Sequence, residues 1–180
     1  MKYMLNKLRL AFLITAVSVA ISSCKKIVDV EPKNIVGVEN MYRNVFDADA
    51  AVVGVYGKFM KLAKPYMILN ELRGDLMDIT NNADLNLRQV SEHTATVNNP
   101  YTDPQPFYDV IVNCNDVLDN FKKMYAASKL KEAEFNQRYS DVGAIRSWVY
   151  LQLGIHYGTI PYVTNPILQV QDLKDNSNFP

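Results

Sequence analysis

Phe107, Val110, Ile111, Cys114, Val117, Leu118 and Phe121 recur at steps of three and four, the spacing that puts side chains on one stripe of an α-helix. A second stripe follows after a short link at 126–128, carried by Leu130, Tyr139, Val142, Ile145, Val149, Leu153 and Tyr157. Neither stripe can be left in water, and a link this short leaves the two helices little choice but to pack side by side. The spacing predicts a helix over about 104–125, opened by Asp103 as cap and Pro104 at its first position. It predicts another from a Ser128 cap to a stop at Gly158, with Pro161 just beyond. Gly143, Ala144 and Ser147 are small enough to admit a close neighbour.

Upstream, Ala48, Ala51, Val52, Val55, Tyr56, Phe59 and Leu62 mark a further helix over 47–63, with Asp47 as its cap and Pro65 past its end. Between 64 and 101 the period lapses. This stretch is rich in Asn and carries Glu71, Asp75, Asp78 and Asp84, and it reads as a long irregular loop of the sort that often holds binding residues. No alternating strand pattern stands out beyond a short, ambiguous Ile160–Val163. The fold class is therefore all-α: helical hairpins with long loops. Tyr150, Leu153, Gly154 and Tyr157 match half of a tetratricopeptide unit, a pattern that core packing of one long helix explains equally well.

The first residues are an address. Lys2, Lys7 and Arg9 precede an apolar run of 12 residues, Leu10–Ile21, too short for the roughly 20 that span a bilayer. Ile21-Ser22-Ser23-Cys24 then sets small residues before a cysteine, the form of a lipoprotein cleavage box rather than of an ordinary secretory signal. This divides the chain into a signal peptide, 1–23, a lipidated tether, 24–45, and a helical domain, 46–180. Two or more acyl chains on Cys24 would anchor the protein without a spanning helix. Cys114 is then left without a partner, a small hydrophobe on a helix face.

Charge narrows the function. The 19 Lys and Arg balance 19 Asp and Glu, and loss of the signal removes three cations and no acid. A mildly acidic chain has no electrostatic means of holding nucleic acid. Two cysteines and two histidines are too few for a zinc ribbon or a haem site. No phosphate-binding glycine motif or acyl-transfer motif occurs, so neither a cofactor nor a catalytic residue is expected. Asp75 and Asp78 could be read as a glycosidase pair, but spacing in a loop fixes no carboxyl separation. His93 has no second histidine at ligand spacing, and His156 reads as a helix-end residue.

Four segments together resemble the SusD/RagB family of outer-membrane nutrient-binding lipoproteins. They are Cys24-Lys25-Lys26-Ile27-Val28-Asp29-Val30-Glu31-Pro32, then Phe46-Asp47 through Gly54-Val55-Tyr56, then Phe107-Tyr108 through Asn115-Asp116-Val117-Leu118. The fourth is the most specific: Gly143-Ala144-Ile145-Arg146-Ser147-Trp148-Val149-Tyr150 through Leu153, followed by Tyr157-Gly158-Thr159-Ile160-Pro161. Gly143 and Ser147 depart from the Glu and Ala usual there.

The resemblance implies a chain that covers only the N-terminal part of the family's length. It implies a lipid anchor in the outer membrane facing outward, a SusC-type TonB-dependent transporter as partner, and an oligosaccharide or peptide as ligand. Composition places Asn98, Asn99 and Tyr101 as ligand contacts, since amides pair with hydroxyls and rings cover the apolar side of a sugar. Arg146 is expected to pair with a neighbouring helix, and Trp148 to pack in the core rather than stack on a sugar. A surface glycan hydrolase and a protein-only scaffold of the transporter complex are the alternatives.

Overall fold

A computed structural model describes residues 41–167 together with Tyr3, Asp172 and the pair 177–178. The chain divides between Gly37 and Val38, and apart from Tyr3 every described residue belongs to the part that starts at Val38. Cys24, the signal peptide apart from Tyr3 and most of the tether lie outside the described residues.

The described part is mostly helical. Helix α1 runs Val45–Phe59, a 3-10 turn follows at Met60–Leu62, then α2, Ala63–Tyr66, and a π-helical segment, Met67–Leu72. Helix α3 spans Leu85–Ser91 and a 3-10 turn spans Pro100–Thr102. The two long helices are α4, Gln105–Ala126, and α5, Glu132–Tyr157. Strand β1, Pro161–Tyr162, pairs antiparallel with β2, Ser177–Asn178, with Pro161 opposite Asn178.

Helices α4 and α5 form the expected hairpin, and α1 packs against both. Every residue of the α4 stripe is buried, and so are Val142, Ile145, Val149 and Leu153 of α5. Ala48, Val52, Val55 and Leu62 close the core from the α1 side, whereas Tyr56 is exposed. Tyr42 also joins the core, edge-on to Phe121 with ring centroids 6.4 Å apart, and Lys129 Nζ donates to its carbonyl at 2.9 Å. The folded part therefore begins inside the stretch that the sequence assigned to the tether. Cys114 is wholly buried, and burial pushes its thiol up to about 11. Trp148 packs edge-on against Phe59 at 5.0 Å and beside Tyr66 at 5.4 Å, a core role.

Two caps differ from expectation. Asn44, not Asp47, caps α1: its Oδ1 accepts the N–H groups of Phe46 and Asp47. Asp47 instead reaches back from the first turn to the backbone N–H of Arg43 at 2.9 Å. Ser128 does not open α5. It closes α4 in the left-handed conformation, φ 56, with its N–H on the Tyr125 carbonyl and the Lys129 N–H on that of Met124. That pair of bonds is a Schellman ending. Glu134 then opens α5, its Oε2 accepting the Lys131 N–H at 2.8 Å, one half of a capping box. Gly158, φ 73, ends it as expected, and Asp103 Oδ1 accepts the Gln105 N–H at the start of α4.

The helix before Pro65 does not stop there. The 3-10 turn resets the hydrogen bonding, so Pro65 falls in the first turn of α2, where a missing N–H costs nothing. The interval 64–101 is thus no structureless loop. It is built of short helices whose ends repeat one device: Asp75, φ 60, and His93, φ 58, sit in the same left-handed position as Ser128. The Leu76 N–H bonds the Glu71 carbonyl and the Thr94 N–H that of Gln89. Gly74, just before Asp75, is required, since a Cβ there would collide with the Asn70 carbonyl oxygen. A Cβ at Gly143 would meet nothing within 4 Å, so among the described residues no neighbour uses the space predicted there.

Candidate functional site

Asn99, one of the three expected ligand contacts, is buried and fully engaged by its own loop. Its Nδ2 donates to the Asn86 carbonyl at 2.8 Å and to Gln89 Oε1 at 3.3 Å, while Oδ1 accepts the Tyr101 N–H at 3.0 Å. It ties α3 to the turn at Pro100 and has nothing left for a ligand. Asn98, its neighbour, is exposed.

Tyr101 lines a groove of about 340 Å³ with Lys64, Pro100 and Asp103. Its hydroxyl donates to Asp84 Oδ2 at 2.6 Å, and the Lys64 ammonium lies 5.1 Å from its ring centre. The hydrogen bond from Tyr101, then the one from the Leu87 N–H, hold the Asp84 carboxyl below the usual carboxylate range. The pair that sequence could have read as glycosidase acids has local work. Asp75 ends a helical segment and Asp78 Oδ1 accepts the Ile79 N–H at 2.7 Å.

Two of the four segments that carry the family resemblance, those on α4 and α5, meet in one cluster where the chain leaves α5. Arg146 Nη1 donates to Asn115 Oδ1 at 2.7 Å. With its oxygen taken, Asn115 turns Nδ2 to the carbonyls of Val163 at 2.8 Å and Asn165 at 3.3 Å. The Tyr150 hydroxyl donates to the Val163 carbonyl at 2.6 Å and accepts the Val163 N–H at 2.9 Å. Tyr108 donates to the Pro161 carbonyl at 3.0 Å. A strand of two residues is thus held to the hairpin by side chains. Burial pushes the Tyr150 hydroxyl up to about 12. Arg146 does bridge to a neighbouring helix, as expected, but to an amide rather than a carboxylate.

Two larger concavities remain. One, about 480 Å³, runs along α5 and is lined by Leu151, Ile155, Ile160 and Tyr162 beside Arg146 and Tyr150. Leu151 and Ile155 are largely exposed. The other, about 430 Å³, lies where the π-helical segment, the end of α3 and the end of α5 converge. Arg73, His93, Thr96, Thr102, His156 and Tyr157 line it over a floor that includes Leu69 and Val90.

In that pocket Asn70 Nδ2 lies 3.1 Å from His156 Nε2 and also faces the Tyr66 carbonyl at 3.1 Å and Gln152 Oε1 at 3.3 Å. Burial, then the charge of Arg73, lowers the His156 pKa from its ordinary 6.5. The Tyr157 hydroxyl is buried without a partner and is pushed up to about 12, chiefly by burial and next by the charge of Asp103. Sequence gave no hint that the two histidines share a pocket. Among the described residues no group of three or more His, Cys, Asp or Glu could hold a metal, and no helix is long and apolar enough to cross a membrane. No protein-family model, curated protein or solved structure matches the chain.

Proposed function

We propose that the chain is the N-terminal part of an outer-membrane nutrient-binding lipoprotein of the SusD/RagB kind. Acylated at Cys24 and held on the outer face, it captures an oligosaccharide or peptide and passes it to a SusC-type TonB-dependent transporter. The observation that carries the reading is the cluster around Asn115. Residues quoted from two stretches of the resemblance, Tyr108 and Asn115 on α4 and Arg146 and Tyr150 on α5, hydrogen-bond one another or the chain at Pro161 and Val163.

The apolar groove along α5 supports the same reading. In stacks of tetratricopeptide-like hairpins such a face covers, and is covered by, the next pair of helices. Asn98 and Tyr101 remain the ligand-facing candidates; Asn99 does not.

The test is to express the chain with its signal in a Gram-negative host supplied with labelled palmitate. Label is expected on the wild type in the outer-membrane fraction and none on Cys24→Ser, which is expected to leave that fraction. The mature chain is then screened against glycans and peptides. Saturable binding without release of sugar supports the reading. Cleavage of a glycan, lost in Asp75→Asn or Asp78→Asn, overturns it in favour of a hydrolase. An unlabelled wild type overturns the anchor.

A further inference from the structure

The pocket at the end of α5 gathers both histidines of the chain, an arginine and a buried hydroxyl without a partner, and no carboxylate is among the residues that line it. Arg73 makes no ion pair among the described residues. Its one hydrogen bond here is long, Nη1 to the His156 carbonyl at 3.5 Å, which leaves most of a five-donor fork unused. Its base is rigid, because the Arg73 N–H is fixed on the Ile68 carbonyl at 3.0 Å and Gly74 beside it admits no side chain.

The other donors can be counted. The neutral His156 ring carries one N–H, and its Nε2 lies 3.1 Å from Asn70 Nδ2. His93 is not among them: Nδ1 lies 3.1 Å from the Ser91 carbonyl and donates to it, which leaves Nε2 of the neutral ring an acceptor. Thr102 gives its proton to the Asn99 carbonyl at 3.1 Å, whereas no such bond occupies Thr96. Asp103, the acid whose charge reaches Tyr157, lines the neighbouring groove instead. Opposite these polar groups lie Leu69, Val90 and Val97, the last 99% exposed. A volume of about 430 Å³ is within the range of small-molecule sites.

We propose that this pocket binds a small organic anion with an apolar body, a carboxylate or a phosphate monoester. The charged head meets the Arg73 fork, the shape that guanidinium recognises best, and the body lies on Leu69 and Val90. The site is independent of the lipid anchor and of any sugar contact.

The chain's having two histidines, both in the pocket, gives a direct readout: their ring resonances in a full chain made without a polyhistidine tag. Hexanoate, hexyl phosphate and hexanol are titrated at constant ionic strength and pH. Saturable movement of both ring signals by either anion, with none by hexanol, is the expected result. Which anion moves them tells carboxylate from phosphate. Arg73→Gln, an exposed position, is expected to weaken binding at least about tenfold, and Val97→Asp, which sets a like charge at the rim, to weaken it as well. Unmoved signals, an equal response to hexanol, or unchanged affinity in both variants would overturn the site.

Discussion

Arg146 reaches across the α4–α5 hairpin to place Nη1 2.7 Å from Asn115 Oδ1. An amide has one oxygen and one NH2 group, so fixing the oxygen fixes where the two protons point. Asn115 is 1% exposed, and in the low dielectric of such a site each of its partners matters. The arginine's own bond to the chain beyond α5 is long, Nη1 to the Thr164 carbonyl at 3.4 Å; its shorter bond aims Asn115, which holds that chain more closely.

Removing the amide should therefore weaken the fold and release the segment it holds. Asn115→Ala is expected to cost about 2 kcal/mol, the loss of two bonds to backbone carbonyls at about 1 kcal/mol each. Arg146→Ala added to it should cost far less than it does alone, because its partner has already gone. Chemical denaturation of the four proteins of the cycle measures this. Additive losses would mean that Arg146 acts elsewhere.

Ser128 ends α4 in a left-handed conformation that a side chain enters only at some cost. Ser128→Gly keeps both hydrogen bonds and removes the Cβ clash, against a larger entropy of the unfolded chain. The expected net gain is about 0.5 kcal/mol, with Ser128→Val losing more than that. Thermal unfolding decides, and a glycine variant less stable than wild type would refute the account.

Gly143 sits in the interior of α5 with open space where a Cβ would lie. Gly143→Ala should raise stability by about 0.5–1 kcal/mol through helix propensity alone. An equal loss would reveal a packing partner outside the described residues.

His156 makes the fold sensitive to acid. Burial and Arg73 lower its pKa in the folded state, so below about pH 6.5, where the free ring takes up a proton, the unfolded chain binds more protons than the native one. Stability falls as pH drops from there and the loss is complete below the folded value. His156→Gln keeps a polar side chain beside Asn70 without titrating, and it should flatten that part of the curve of Tm against pH. In wild type one of the two ring signals should titrate below 6.5.

The hairpin was legible because α4 and α5 are long enough for a period to repeat, and because Asp103 and Gly158 each do what their chemistry favours at a helix end. The interval 64–101 was not. Helix α3 has seven residues and buries only Val90, too little for any stripe to emerge. The π-helical segment and α3 end in left-handed residues, Asp75 and His93, types that carry none of the signal a glycine would.

Asn99 misled for a related reason. An amide suited to a sugar hydroxyl is equally suited to the backbone of its own loop, and only the fold decides between them. The pocket around Arg73 was invisible because its members come from three helix ends far apart in the chain.

The sulfur in the middle of α4 has a use that its packing makes possible. Sealed among core side chains and held in its protonated form, Cys114 reacts with an alkylating reagent only when the hairpin parts. In a variant without residue 24 it is the one thiol of the molecule, and the rate at which it is consumed becomes a clock for how often the two long helices open.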